Sequence, residues 1–180
     1  MYKYHLSDVE WGEFFFSDVF NEVQRGKRLT KANQLEGKIP YISSTALNNG
    51  VDNFIGNKEK IRKSAKNITL ANSGSVGACF YQDYEYIASD HVTSLTLKNG
   101  SKNVYIFISA IVKRLEEKYS FNREINDERI KREKLILPID ANKNPNWHFM
   151  EEYIKEREIK QRNELREYCK SRLLELGYLS

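Results

Sequence analysis

The sequence predicts an α+β fold: a single mixed-sheet domain over residues 1–145, followed by a long coiled-coil-type helix over residues 146–180. Three observations predict it. Short alternating apolar runs separated by polar turn residues occupy residues 11–97. From Asn103 the apolar period lengthens to three and four residues, and beyond Pro145 a second helical pattern runs on toward Leu176. Composition suits a core of ordinary size, since the 180 residues are 40% hydrophobic and 30% charged, with 11 Tyr and 9 Phe as large core pieces. That length accommodates one domain of roughly 140–150 residues plus an appendage.

Residues 11–16 read as a strand, residues 17–20 as a short helical turn capped by Ser17 or Asp18, and the chain then returns as a strand to Val23. These aromatics are assigned to the core. A basic loop follows, with Arg25, Lys27, Arg28 and Lys31 and no acid before Glu36. The apolar stretch 39–42 leads to Ser43, Ser44, Thr45, Asn48 and Asn49, and Asn49 with Gly50 favours a tight turn. Residues 51–55 are predicted as a strand, 58–66 as a basic connector or flap, and 67–70 as another strand. Gly74 and Gly77 then place a polar turn over residues 71–78. It fails as a phosphate loop because no Lys-Ser/Thr pair follows at the required spacing. Strands at 84–87 and 92–97 flank residues 88–91, and Val104, Phe107, Ile108, Ile111, Val112 and Leu115 mark an amphipathic helix over 104–118. A polar segment, 119–133, leads to a strand at 135–138. The final helix, 146–176, would be about 45 Å long at 1.5 Å per residue. Its apolar seam is broken by charged residues 155–164, so its far end finds no partner within the domain.

The formal net charge of +4 is small but unevenly placed. Lys3 alone faces Asp8, Glu10, Glu13, Asp18 and Glu22 before the basic loop begins. A cationic cluster beside short hydrogen-bonding side chains is a footprint for nucleic acid: cations meet phosphates, and Ser, Thr and Asn reach base edges. Cys79 and Cys169 stand apart without a CxxC pair, which predicts reduced thiols and no zinc site. Neither a secretory leader nor an apolar run of membrane-spanning length is read, so a cytoplasmic location without membrane attachment is expected. Catalytic signatures are missing. Pro40, Pro138 and Pro145 never adjoin as a base-flipping methyltransferase motif requires, and Asp83, Glu85 and Asp90 have no lysine near them before Lys98. His5, His91 and His148 are isolated. No cofactor and no metal are expected.

The order of these motifs resembles a target recognition domain from the specificity subunit of type I restriction-modification systems. The resemblance runs over about residues 9–176: the strand with Trp11, then DVF, RGKRL, GKIPYIS with NNGV, GSVG with Tyr81, ASDHV, a helix, LILP and a terminal helix. Subunits of that family usually hold two such domains, each followed by a long helix, and the helices pack antiparallel. This chain has one of each and is similar to a half-subunit. Residues 140–155 (DANKNPNWHFMEEYIK) are closer to domains of type IIG and IIB-like restriction-methylation enzymes.

The resemblance implies a non-catalytic module that reads double-stranded DNA while separate methyltransferase and restriction subunits act on it. Candidate DNA contacts are Arg25, Lys27, Arg28, Lys31, Ser43, Ser44, Thr45, Asn48, Asn49, Ser73, Ser75, His91 and Arg123. Met150, Ile154, Leu165, Tyr168, Leu173 and Leu176 are the candidate surface for a homodimer or for a methyltransferase subunit. Two other classes stay open: a phage or mobile-element protein that docks on methyltransferase subunits without reading DNA, and a small nuclease or RNA-binding protein.

Overall fold

The aromatic run near the amino end divides into three short elements. β1 (Trp11–Phe15) alternates exposed and half-buried side chains, one helical turn α1 (Phe16–Val19) follows, and β2 (Phe20–Arg25) leaves it. Phe16 and Phe20 are buried with ring centroids 5.0 Å apart, whereas Trp11 and Phe15 remain on the surface. The expected cap is corrected: Phe15 occupies the cap position, and the Asp18 carboxylate accepts the Phe15 N–H at 3.1 Å. The computed structural model describes residues 3–120 and 122–178.

Two sheets form where one was expected. β1 pairs antiparallel with β8 (Lys134–Pro138) as a separate ribbon. The main sheet adds β3 (Glu36–Ile42), β4 (Val51–Ile55), β5 (Lys63–Ala71), β6 (Cys79–Ala88) and β7 (Val92–Leu97), in the order β2-β7-β5-β6-β3-β4. It is mixed, because β3 runs parallel to β6 while every other neighbouring pair is antiparallel. Part of the predicted connector at 58–66 therefore belongs to β5, and Lys63 and Lys66 are strand residues.

Buried polar contacts tie non-adjacent strands of this sheet together. The Tyr86 hydroxyl on β6 donates to Asn67 Oδ1 on β5 at 2.6 Å and lies 2.8 Å from the Ser94 hydroxyl on β7, two strands away. Beyond β2 the Gly26 N–H donates to the Val92 carbonyl (2.9 Å) and the Lys27 N–H to the Ala88 carbonyl (3.1 Å), so the chain leaving β2 bridges the end of β6 and the start of β7. A side chain at Gly26 would run into the Ala88 and Ser89 carbonyls, so this closure requires glycine.

α2 (Lys102–Lys113) begins where the Ser101 hydroxyl accepts the Val104 N–H at 3.2 Å. Val104, Phe107, Ile108 and Val112 are buried in one core with Ile68, Leu70, Leu95 and Leu97 of the sheet. Each such side chain contributes about 1.5–3 kcal/mol when fully buried. The helix stops earlier than its periodicity predicts, and Arg114–Glu117 tightens into a 3-10 turn. Segment 119–133 is no plain polar connector, since it contains a helical turn α3 (Asp127–Ile130) and buries Tyr119, Ile125 and Ile130. Buried Glu133 receives Lys118 Nζ at 2.7 and 2.9 Å and the Tyr119 hydroxyl at 2.5 Å. Burial, followed by the hydrogen bond to Glu133, pushes the Tyr119 phenol up to about 12.

α4 (Trp147–Glu175) is 29 residues long, about 44 Å, and starts where Asn146 Oδ1 accepts the Phe149 N–H at 2.9 Å. Its first turns are part of the globule: Phe149 and Met150 are buried, and Tyr153 meets Phe107 edge-on at 5.6 Å. Met150 is therefore a core residue of its own chain rather than an interface residue, and Ile154 packs half-buried against the same core. The Glu156 carboxylate accepts the Lys3 N–H at 2.6 Å and the Tyr4 N–H at 3.2 Å, tying the start of the described chain to the helix. Beyond that point the apolar side chains stand in solvent, with Leu165 61%, Tyr168 66%, Leu173 40% and Leu176 56% exposed. Among the described residues no helix is long and apolar enough to cross a membrane.

Candidate nucleic-acid interface

Four loops meet beside the main sheet, and backbone hydrogen bonds fasten them to one another. They are the chain after β2, the loop after β3, the β5–β6 loop and the β6–β7 turn. Lys27 N–H binds the Ala88 carbonyl (3.1 Å), Ser89 N–H the Ile42 carbonyl (3.0 Å), Asn72 N–H the His91 carbonyl (2.8 Å) and Ser75 N–H the Ser44 carbonyl (2.9 Å). Side chains add further ties. The Ser73 hydroxyl lies 2.6 Å from His91 Nδ1, and Arg25 Nε donates to the Asp90 carbonyl at 2.5 Å. An Arg62 guanidinium nitrogen binds the Arg25 carbonyl from behind. Because each loop is held by its neighbours, the backbone positions from which their side chains project are set relative to one another.

Three of these loops, without the β5–β6 loop, line a cleft of about 230 Å³ that brings Arg28, Lys31, Ser43, Ser44 and His91 together with Tyr41, Asp52 and Asp90. Arg28 and Lys31 are exposed at this cleft, while Asp52 and Asp90 oppose them, so the site is polar and of both signs instead of uniformly cationic. The Tyr41 hydroxyl donates to the Leu29 carbonyl at 3.2 Å. Burial, and behind it the charges of Asp90 and Asp52, holds its phenol above the ordinary value, so it remains a proton donor there.

The candidate residues sort into several positions. Lys27, Arg28, Lys31, Asn48, Asn49 and His91 are exposed, and Ser43, Ser44, Thr45 and Ser75 are half-buried. Arg25 is half-buried as the last residue of β2 and braces the β6–β7 turn. Ser73 is 6% exposed, with its hydroxyl directed at His91, and serves to orient that ring. Arg123 lies with its guanidinium 5.4 Å from the Tyr119 ring centre, on a segment fastened to the β5–β6 loop where the Ile125 N–H donates to the Asn72 carbonyl at 3.0 Å. Two bracing residues escaped the sequence analysis, Arg62 and Gln82. The Gln82 amide donates to the Asn49 carbonyl at 2.9 Å from a buried strand position. Gln82 falls at an inward position of a strand whose next polar residues, Asp83 and Glu85, are exposed, and that contrast is the one signal that could have marked it. Among the described residues no cluster of three or more His, Cys, Asp or Glu side chains is placed to hold a metal ion.

Residues 8–167 match the family model described as "Type I restriction modification DNA specificity domain". A curated relative, the specificity subunit S.BcgI of a type II restriction enzyme from Heyndrickxia coagulans, is 34% identical over 158 residues. The match covers 86% of this chain and 46% of the relative, so the chain spans about half the length of that protein. Two solved structures share the fold. The S subunit of a type I restriction-modification system from M. genitalium superposes with a TM-score of 0.62 at 17% identity, over 91% of this chain and 42% of that one. The HsdS subunit from Thermoanaerobacter tengcongensis gives 0.58 at 10% identity, over 84% and 38%. The family model spans nearly the whole globule and much of the long helix, and the chain accordingly belongs to the family of type I restriction-modification DNA specificity domains.

Proposed function

We propose that this chain is a non-catalytic reader of double-stranded DNA, equivalent to half of a specificity subunit, that directs a methyltransferase subunit, with a restriction subunit where present, to its target. One observation carries the reading: four loops from different parts of the chain are cross-braced into one polar surface on a member of this family, with Arg28 and Lys31 exposed beside Ser43, Ser44 and His91. Cations release counterions from phosphates, and fixed short polar groups hydrogen-bond to base edges. Rigid presentation matters because sequence is read only by groups that cannot relax toward the wrong base.

Residues 1–145 with the first turns of α4 form the reading body, and the remainder of the helix is the docking arm. Leu165, Tyr168, Leu173 and Leu176 pair there with a second copy or with a helix of the methyltransferase, and two copies about a two-fold axis would read an interrupted palindrome. The reader works in the cytoplasm, where its DNA and partner subunits are. The 34% relative, a specificity subunit of a type II restriction enzyme, supports a type II assembly alongside the type I arrangement.

Selection of bound duplexes from a random pool, with and without a methyltransferase from the same genome, tests the proposal. Enrichment of one interrupted sequence supports it. Capture of the methyltransferase with no duplex preference would support the docking protein that does not read DNA.

A further inference from the structure

The tip of the loop after β3 is built differently from the rest of the interface. Asn48 and Asn49 both hold left-handed backbone, φ 50° and 54°, and Gly50 continues at φ 84°. Side-chain-bearing residues avoid this region, with Asn the most tolerant, and consecutive examples persist only where the surroundings impose them. Here the surroundings do so. The Ser43 N–H donates to the Gly50 carbonyl at 3.0 Å, the Leu47 N–H to the Thr45 hydroxyl at 3.1 Å, and the Gln82 amide to the Asn49 carbonyl at 2.9 Å. Gln82 is 1% exposed, and its amide also binds the Thr69 hydroxyl at 3.0 Å, so it clamps the tip from the core. Its Oε1 is buried without a partner, a cost consistent with its place being set by the tip.

The clamp holds three neighbouring side chains outward. Leu47 is 74% exposed, Asn48 and Asn49 are exposed beside it, and among the described residues neither Asn side-chain amide has a protein partner. An exposed apolar side chain next to an exposed amide without a protein partner matches an A·T pair in the major groove. Adenine offers a donor at N6 and an acceptor at N7 for one amide, and thymine adds a methyl group beside O4. Resting on the DNA-reading function proposed above, we propose that the tip reads an A·T pair, with the Asn48 amide on adenine, Leu47 against a thymine methyl and Gln82 as the positioning residue that holds the tip in register.

The test uses the full chain and duplexes selected from a random pool. The variants respect the backbone: Asn48→Gly removes the amide yet keeps left-handed freedom, and Asn48→Asp exchanges the amide's donor for an acceptor suited to cytosine N4. Wild type is expected to prefer A·T over G·C at one position by roughly tenfold, and Asn48→Gly to abolish that preference while other positions keep theirs. Asn48→Asp should move the preference from adenine to cytosine. Gln82→Met should blur the same position without altering the others, which a merely structural role would not do. If wild type selects a defined sequence and every preference survives Asn48→Gly, the tip does not read bases, although the chain still reads DNA. A wild-type chain without preference among duplexes overturns both.

Discussion

Replacing Arg28 and Lys31 together by alanine tests the proposal that these cations meet phosphate while Arg25 holds the site. Both are exposed at the cleft, whereas Arg25, three residues before Arg28, is half-buried and donates through Nε to the Asp90 carbonyl. Each phosphate contact contributes about 0.9 to the slope of log K against log salt, so losing two flattens it by about 1.8. Between about 50 and 200 mM salt, wild type should therefore lose about twelvefold more affinity than the double variant. Arg25→Ala should behave in the opposite manner. Its slope stays near that of wild type, while loss of a hydrogen bond from a charged donor costs about 1.5–3 kcal/mol of stability. For a chain of this length that lowers the melting temperature by on the order of 5 °C. Fluorescence anisotropy on a labelled selected duplex over a salt series, with thermal melts beside it, gives both numbers. An unchanged slope in the double variant, or a flattened one in a fully stable Arg25→Ala, refutes this division of labour.

Tyr86→Phe leaves Asn67 Oδ1 without its buried donor and should cost about 1–3 kcal/mol in denaturant melts; equal stability would mean that the Tyr86 hydroxyl does not tie β6 to β5. Gly26→Ala should prevent closure between β2 and the β6–β7 turn and abolish duplex binding, even in variants that retain a cooperative melt. Backbone donors, chiefly the Lys3 N–H, hold the Glu156 carboxyl below the ordinary glutamate range. A folded-state pKa below the unfolded one stabilises above the unfolded value, and the gain is lost as pH falls through the lowered one. The gap in melting temperature between wild type and Glu156→Gln should accordingly be open at neutral pH and close in acid, and a gap independent of pH contradicts the assignment. Deleting residues 159–180 should leave the melting temperature within about 2 °C, because the helix contributes its buried side chains before that point. Light scattering should then report a monomer, and a persisting dimer would place self-association on another surface.

The parts of the fold that were legible in the sequence are those written in local periodicity. The α4 boundaries of 146 and 176 lie within a residue of those observed because Asn146 is a good cap and no proline or glycine intervenes before Gly177, and the strand at 51–55 coincides with β4. Whatever depends on tertiary closure was not legible. Nothing local says that β1 would leave the main sheet for β8, a partner more than a hundred residues away. Met150 looked like part of an external seam because periodicity identifies an apolar stripe without saying what covers it. The candidate site was found as a set of loops, and the structure joins four of them. The division into presenting and bracing residues was hidden, since Arg25 and Arg28 have the same chemistry in sequence and differ only in what lies within reach.

The β1–β8 ribbon and the contact of Glu156 with Lys3 and Tyr4 place the entrance and exit of the globule side by side, at the root of α4. Past Glu156, however, α4 continues to Glu175, so it carries the outgoing chain roughly 28 Å from the incoming one. A second globule joined beyond the helix would be held at that spacing from the first instead of packing against it.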